Sequence, residues 1–398
     1  PTGKDSLSMK QKYPNDEVIA PGTVIISAAG NCSNITKVVE PVLKRNGGNI
    51  YYINLSQDSF KLGGSSFAQV LNKIGTDVAT IKDGAFFKKT FNVLQDLIKD
   101  RKIHAGHDVG SGGLITTLLE LCFADVNLGA NYDLTALKES DTVKALFNEN
   151  IAVVFQADAS VEAEFAKHNV EVFKIGSVFE GNSVTIINNA DTFTFNVSET
   201  RDTWYKTSFL LDSKQSKNGM AQERYNNFKN QPLQFTFPKQ FDGKLPVIDS
   251  SKPRPKAAII REKGSNSERE MANAMYLAGF DVKDVHMTDL ISGRENLEDI
   301  QFIGAVGGFS NSDVLGSAKG WAGAFLYNEK ANTALKNFFK RDDTLSVGIC
   351  NGCQLLMELE LINPEHEVHG KMHHNTSQKH ESGFTSVKVQ KNNSVMLS

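Results

Sequence analysis

The sequence predicts a multidomain α/β protein whose C-terminal part is a doubly wound parallel sheet. The chain has 398 residues, more than one hydrophobic core usually organises, so two or three domains are expected. From Lys256 onward, β-branched runs alternate with amphipathic segments, a pattern typical of βαβ units. Near the end, an apolar strand at residues 344–349 leads through Cys350 into a helix. Open parallel sheets place their sites at such strand ends.

Composition narrows the class of protein. Hydrophobic residues make up 40% of the chain and charged residues 22%, as in ordinary globular proteins. The net charge of −3 predicts no nucleic-acid surface, and no apolar run is long enough to span a membrane. Four cysteines are too few for a disulfide scaffold, so a cytoplasmic location is expected. The chain lacks an initiator methionine and stops within a strand-like stretch, so we expect a piece of a longer polypeptide.

Residues 1–200 are predicted to form the first domain. The elements expected early in it are strands at 23–29 and 50–55 and helices at 35–43 and 85–100. A Gly-Gly-Ser-Ser segment at 63–66 precedes a further amphipathic helix. Its free backbone amides could bind a phosphate or another anion. A plain glycine turn with a serine cap is the alternative for this segment.

A second glycine-rich segment follows the strand that begins at residue 103. Asp108 is followed by Gly110 and two further glycines before an apolar helix. A carboxylate beside a glycine-rich helix start suits Mg²⁺ that bridges nucleotide phosphates, and an Asx-type turn is the alternative. His107 is interpreted as a packed or hydrogen-bonding residue. Glu149 could line a polar site or cap a helix.

The remaining chain divides into a linker and a second domain. Residues 201–253 carry an aromatic helix and then a polar, proline-containing stretch, which predicts a linker. Residues 254–398 are the second α/β domain. Its expected elements are strands at 257–260, 281–285, 302–306 and 345–349 and helices at 267–278 and 332–339.

The pattern G-x-C-x-G-x-Q at residues 348–354 is the strongest local signal. A nucleophile on a sharp strand-to-helix turn is exposed, and the helix N-terminus favours the reactive thiolate. The pair Gly307-Gly308 ends another strand, so its loop could supply amides for an oxyanion. Such a thiol needs a base, usually a histidine. His286 lies at a strand end, but nothing in the sequence brings it to Cys350.

Cys350 and Cys353 could also have roles other than that of a nucleophile and its neighbour. Cys350 and Cys353 form a C-x-x-C spacing, which could be a redox pair or half of a zinc site that recruits histidines from residues 366–380. No second C-x-x-C exists, which argues against zinc. Two ordinary buried cysteines are the remaining alternative.

These motifs resemble a known family. GICNGCQ at 348–354 and VGGFSNSDVLGSAKGWA at 306–322 resemble the class I, triad-type glutamine amidotransferase domain, and more closely that of large-type phosphoribosylformylglycinamidine synthases. RPKAAIIREKGSNSEREMANAMYLAGFDVKDVHMTDL fits the same domain. The first domain is similar to the second half of that family's synthetase region, through the ordered motifs PTGKDSLSMK, LGGSSFAQVL, HDVGSGGLITTLLELCFA and LFNENIAVVFQ.

The resemblance implies an α+β half-domain of the PurM-like C-terminal type, followed by a doubly wound amidotransferase domain that is incomplete at its C-terminus. It implies that Cys350 attacks glutamine, that amides near Gly307 and Gly308 hold the oxyanion, and that Gly352 and Gln354 shape the glutamine pocket. The family's catalytic histidine and glutamate would lie beyond Ser398, so the chain by itself should not hydrolyse glutamine efficiently.

The resemblance also implies a ligase of purine biosynthesis. Ammonia would pass internally to a synthetase site, where ATP activates formylglycinamide ribonucleotide for amination. Asp108 would bind Mg²⁺ and Gly110 would contact a nucleotide, either ATP or a structural ADP. The other partners implied are the N-terminal remainder of the same polypeptide, with a monomeric parent enzyme. A nucleotide-binding scaffold with an inactive amidotransferase-like domain is the competing hypothesis.

Overall fold

The computed structural model describes residues 9–20, 26–230, 233–234, 236, 239–240, 242–244, 247, 249 and 251–397. The chain divides into two compact units. One contains residues 1–210 and 235–244, and the other contains residues 211–234 and 245–398. Within the described ranges, no helix is long and apolar enough to cross a membrane.

The first unit contains nine strands and six helices among its described residues. The strands are β1 (Met9–Tyr13), β2 (Asp16–Ala20), β3 (Asn49–Asn54), β4 (Ile103–Asp108), β5 (Leu128–Asp133), β6 (Ala152–Ala157), β7 (Phe173–Glu180), β8 (Ser183–Asn188) and β9 (Asp191–Asn196). The helices are α1 (Ser66–Val70), α2 (Gly84–Lys99), α3 (Gly113–Phe123), α4 (Thr142–Phe147), α5 (Ser160–Lys167) and α6 (Val197–Gln215), of which α6 runs past residue 210.

A seven-stranded mixed sheet in the order β4-β6-β3-β7-β5-β8-β9 forms the centre of this unit. Only β5 and β8 pair in parallel. Side chains alternate between the faces of a strand, so Ile50 and Tyr52 of β3 join the core that includes Leu118 of α3. Tyr51 and Ile53 join the opposite core, with residues of α2 and α5. Helices therefore cover both faces of this α+β sheet.

Two expectations for the start of this unit are wrong. Residues 26–29 form no strand and Ile26 is 77% exposed, while residues 23–25 of that expected strand lie outside the described residues. The expected helix at 35–43 is a single 3₁₀ turn, Ile35–Lys37. Pro41 lacks the N–H that a helix interior needs, and the Leu43 N–H donates outside this segment, to the Leu121 carbonyl oxygen at 3.2 Å.

The second unit contains a parallel sheet with helices around it. Its strands are β10 (Lys256–Arg261), β11 (Ser265–Asn266), β12 (Asp281–His286), β13 (Phe302–Ala305), β14 (Gly307–Gly308) and β15 (Leu345–Gly348). Its helices are α7 (Met220–Asn227), α8 (Glu268–Leu277), α9 (Met287–Ser292), α10 (Lys319–Leu326), α11 (Glu329–Phe339) and α12 (Asn351–Glu358). Helices α9 and α10 were not expected from the sequence.

The four main strands lie in the order β12-β10-β13-β15 and all pair in parallel. Ala257 to Ile260 of β10 are fully buried, as is typical of a strand that is covered on both faces. The chain first places β12 on one side of β10 and then adds β13 and β15 on the other side. The strand order therefore switches between β10 and β13, and doubly wound folds form their clefts at such a point. The doubly wound fold predicted from the sequence is confirmed.

The register of β13 and β15 decides which loops lie together at the edge of this sheet. Ala305, the last residue of β13, pairs with Gly348, the last residue of β15. The segments that leave these two strands therefore start side by side. They carry Gly307 and Gly308 on one strand end and Cys350 on the other.

Candidate functional site

Cys350 lies at a strained turn between β15 and α12. Its backbone has φ of 53° and ψ of −110°, a conformation that costs a non-glycine residue about 1–3 kcal/mol. The side chain is exposed and carries a free thiol. The turn can be this tight because Gly352 has no side chain: a Cβ there would lie 2.1 Å from the carbonyl oxygen of Ala305. Strain of this kind is typical of functional sites.

The glycine pair that follows β13 lies against this turn. A Cβ added to Gly307 would lie 3.4 Å from Cβ of Cys350 and 3.9 Å from its Sγ. Gly307 and Gly308 form the short strand β14, which pairs antiparallel with Asn266 and Ser265 of β11. Beyond them, the Phe309 N–H donates to the Gly264 carbonyl, 3.0 Å away. The glycine loop is therefore held beside the thiol, a placement that the sequence allowed but did not determine.

Asn351 contributes more than the turn that the sequence indicated. It is the first residue of α12, and its side chain is 1% exposed. Its Oδ1 accepts a hydrogen bond from the Ser310 N–H at 3.1 Å, and its Nδ2 donates to Oε1 of Gln354 at 2.9 Å. It thus connects the loop after β14 to α12, the helix that follows Cys350. It also engages the Gln354 side chain, which the resemblance assigned to the glutamine pocket.

A cavity of about 710 Å³ opens beside Cys350, with Gly307 and Gly308 on its lining. Most of its wall is apolar, with polar groups supplied by Asn266 and Glu270. The apolar side chains come from α8, from the turn that follows it and from two strands of the sheet: Met271, Met275, Phe280, Phe302 and Val347. The thiol therefore borders a space large enough for a small ligand.

No base for the thiol is found within the described residues, where no hydrogen bond or ion pair joins Cys350 to a histidine. The imidazole of His286 instead caps α9, because its Nδ1 accepts from the Thr288 N–H at 3.2 Å. In the region of residues 366–380, His369 lies 3.7 Å from a carboxylate oxygen of Glu360. Across the same described part of the chain, no group of three or more potential ligands could hold a metal ion.

Asp108 ends strand β4 in the first unit. Its side chain is 84% exposed, and its carbonyl oxygen accepts a hydrogen bond from the Thr117 hydroxyl of α3 at 3.0 Å. A Cβ added to Gly110 would lie 3.8 Å from Oδ2 of Asp108, so this glycine leaves room beside the carboxylate. A hard cation such as Mg²⁺ commonly takes one or two carboxylates together with phosphate oxygens and water. The exposed carboxylate of Asp108 and the absence of a side chain at Gly110 fit that requirement.

His107 lies next to this carboxylate and serves as a hydrogen-bonding residue, in agreement with its interpretation from the sequence. Its Nδ1 is 2.7 Å from the Asp108 carbonyl oxygen, and its Nε2 is 3.1 Å from a carboxylate oxygen of Glu120. The other oxygen of Glu120 accepts from the indole N–H of Trp204 at 2.7 Å. These contacts orient the end of β4.

Glu149 joins the two glycine-rich segments that the sequence treated separately. Its Oε1 accepts hydrogen bonds from the backbone N–H of Ser66 at 2.8 Å and of Gly112 at 2.9 Å. The sequence left the role of Glu149 open, since its partners are 83 and 37 residues away. No local pattern could have identified this contact.

Two domain families match the chain. The CobB/CobQ-like glutamine amidotransferase domain matches residues 254–398. The C-terminal domain of AIR synthase related proteins matches residues 48–188. The first match contains Cys350 with its glycine loop, and the second contains Asp108, Gly110 and Glu149.

Whole-chain similarity extends to two curated proteins. A probable phosphoribosylformylglycinamidine synthase, chloroplastic/mitochondrial, of Arabidopsis thaliana is 37% identical over 417 residues, covering 99% of this chain and 29% of that protein. A phosphoribosylformylglycinamidine synthase of Homo sapiens is 37% identical over 420 residues, covering 99% and 31%. The chain thus spans less than a third of the length of these relatives. The solved structure of T. maritima PurL complexed with FGAR has a TM-score of 0.34 and 19% identity, covering 42% of this chain and 30% of that one.

Proposed function

We propose that this chain, which belongs to the phosphoribosylformylglycinamidine synthase family, supplies the glutaminase nucleophile and one nucleotide-binding half of such an enzyme. The complete reaction would convert formylglycinamide ribonucleotide, glutamine, ATP and water to formylglycinamidine ribonucleotide, glutamate, ADP and phosphate. Because the chain covers 29–31% of the two relatives, the rest of this reaction is assigned to the N-terminal remainder of the same polypeptide. A cytoplasmic, monomeric parent enzyme belongs to the same proposal.

The observation that supports the glutaminase role most directly is the strained Cys350 turn beside Gly307. The thiolate sulfur would attack the side-chain amide carbon of glutamine, and the carbonyl oxygen would become an oxyanion that backbone amides near Gly307 and Gly308 stabilise. Collapse of this intermediate would release ammonia and leave a thioester on Cys350. Water would then release glutamate. Gly352 permits the turn, and Gln354, tied to Asn351, would border the pocket.

The proton transfers in this scheme need a base, which we assign to a histidine outside residues 1–398. The chain by itself would then be a poor glutaminase. The proposed domain map has the synthetase half at 1–200, a linker at 201–253 and the amidotransferase domain, which carries the thiol, at 254–398.

In the first domain, Asp108 would hold Mg²⁺, and Gly110 would let a nucleotide phosphate approach that ion. When bound, the ion would neutralise phosphate charge. The chain's own residues would present the carboxylate at the end of β4 and leave open space beside it. The nucleotide is either ATP that is turned over or an ADP that remains bound as part of the structure.

The substitution Cys350→Ala in the full-length enzyme tests the glutaminase assignment. Glutamine-dependent amination should be lost, because no thioester can form, while amination with added ammonium should remain at the wild-type rate. Both rates are measured by formylglycinamidine ribonucleotide production, with Cys353→Ala as the matched control that keeps both. Loss of both activities, or of neither, contradicts the assignment. A wild-type enzyme that uses ammonium but not glutamine would favour an inactive, scaffold-like amidotransferase domain.

A further inference from the structure

The backbone on either side of Glu149 is anchored by two fully buried asparagines. The Nδ2 of Asn148 donates to the carbonyl oxygens of Lys144 and Ala145 at 3.0 and 2.9 Å and so ends α4. The Nδ2 of Asn150 donates to three oxygens within residues 56–59, at 3.0 to 3.2 Å. Both asparagines are 0% exposed. The backbone of Glu149 is therefore held at a defined position.

From this position, the carboxylate reaches two loops that are far apart in sequence. One oxygen, Oε1, accepts from the N–H of Ser66, the first residue of α1, and from the N–H of Gly112, the N-cap of α3. Bonds from N–H groups to a carboxylate are shorter and stronger than neutral ones. The Gly112 amide also lies at the N-terminus of the 11-residue helix α3, where the helix dipole favours a negative charge.

Packing around the same segment adds to this contact. The rings of Phe67 in α1 and Phe147 in α4 stack with centroids 4.6 Å apart. A Cβ added to Gly113 would lie 2.6 Å from the carbonyl carbon of Phe147, so α3 begins directly against the segment that carries Glu149. The 63–66 loop and the 110–113 loop are thus both fitted to residues 147–149.

Gly112 lies in the same short loop as Asp108 and Gly110, the proposed Mg²⁺ and nucleotide positions. We propose that Glu149 is a positioning residue that clamps the two glycine-rich loops together, and that this clamp holds Asp108 and Gly110 in the geometry that binds the magnesium–nucleotide complex. The second half of this statement rests on the proposed function. The clamp itself does not.

The test compares Glu149→Ala with Glu149→Gln in the full-length enzyme, with Glu171→Ala on an exposed position as the control. Glutamine at 149 keeps a carbonyl oxygen that can accept both N–H groups, whereas alanine removes the acceptor. Hydrogen exchange without nucleotide should accelerate at residues 63–67 and 110–114 in the alanine variant, and far less in the glutamine variant, which keeps the acceptor oxygen but not its charge. Magnesium–ADP affinity, measured by calorimetry, should fall roughly 10-fold to 100-fold in the alanine variant and stay close to wild type in the glutamine variant.

A second variant leaves Glu149 intact. Ser66 is the first helical residue of α1, where proline is well tolerated, and Ser66→Pro removes one donor of the clamp. This variant should loosen the 63–67 segment and weaken magnesium–ADP binding less than Glu149→Ala does.

The outcomes separate the possible roles. Unchanged exchange in both loops of Glu149→Ala overturns the clamp. Weak nucleotide binding in Glu149→Gln with normal exchange also overturns it, because the charge would then act on the ligand directly. Absence of nucleotide binding in the wild-type enzyme would count against the proposed function, while the exchange measurement would still decide the clamp.

Discussion

At the thiol site, the role of Asn351 comes from its contacts in the folded chain. The sequence indicated only a turn at this position, because an asparagine after a cysteine is compatible with many loops. In the folded chain, its buried amide contacts the loop after β14 on one side and Gln354 on the other. Its importance comes from these contacts, since it has no reactive group of its own.

Replacing Asn351 with alanine should therefore lower the glutamine-dependent activity alone. The buried Ser310 N–H would lose its acceptor, at a cost of about 1–3 kcal/mol, and misplacement of the thiol would lower glutamine-dependent activity by about 10-fold to 100-fold. Ammonia-dependent activity of the full-length enzyme should be unchanged. Steady-state assays with each nitrogen source check this result.

Asn351→Asp should be intermediate, because the carboxylate can still accept from Ser310 but cannot donate to Gln354. Asn337→Ala on the exposed face of α11 is the control. Equal glutamine-dependent rates in Asn351→Ala and wild type would show that the bridge has no role in catalysis.

At the scale of elements, the strand-turn-helix unit of β15 and α12 could be predicted from sequence. Its apolar run, its glycines and its cysteine are all local signals. The sequence could not show that Gly352 approaches β13 so closely, since Ala305 is 47 positions earlier in the chain. The pairing of β14 with β11 is likewise a two-residue contact, too short to leave a periodic pattern.

Gly352→Ala should disrupt this unit. A Cβ would lie 2.1 Å from the Ala305 carbonyl oxygen, so α12 must shift, and overpacking of this kind costs about 1–3 kcal/mol or more. Thermal unfolding should show a lower midpoint, with loss of glutamine-dependent activity.

Gly323→Ala in α10 is the matched control for Gly352→Ala. The nearest neighbour of its Cβ would be the Tyr327 ring at 3.7 Å, an ordinary contact. In a helix, alanine is favoured over glycine by about 0.5–1 kcal/mol, so this variant should unfold at the wild-type temperature or slightly above. Similar midpoints for the two variants would refute the close-approach explanation.

At the scale of the whole second unit, ion pairs connect segments that are distant in sequence. Asp212 accepts hydrogen bonds from Arg224 at 2.8 Å and from Lys379 at 2.5 Å, and Arg224 also donates to Glu381 at 2.7 Å. The Asp212 side chain is 14% exposed. The hydrogen bonds from Arg224 and then Lys379 hold the pKa of Asp212 well below its usual range. Residues 375–381 are thereby fastened to α7 and the preceding chain within this unit.

The charge on Asp212 should stabilise this unit in a pH-dependent way. Because the folded-state pKa is depressed, the stabilisation is present above the unfolded pKa of about 3.9 and is lost as the pH falls through the folded pKa. Asp212→Asn should lower the free energy of unfolding by about 1–2 kcal/mol at pH 7, and the difference from wild type should shrink below about pH 4.

Denaturant unfolding at a series of pH values measures the Asp212 contribution, with Asp342→Asn as an exposed control. A wild-type-to-variant difference that is constant from pH 7 to pH 3 would be incompatible with an ionic contribution.

The sequence by itself determined the alternation of strands and helices after Lys256, the strand-to-helix turn at Cys350 and the polar strand end at Asp108, because each depends on residues that are neighbours in the chain. The strand expected at 26–29 and the helix expected at 35–43 were wrong, since apolar composition does not decide between a strand, a helix and an extended loop. Only the tertiary structure decided that Gly307 lies beside Cys350, that Asn351 bridges to Ser310 and that Glu149 joins two glycine-rich loops. Those contacts are made by single hydrogen bonds or close approaches between residues far apart in sequence, and such contacts follow from how the sheets are ordered and not from any local pattern.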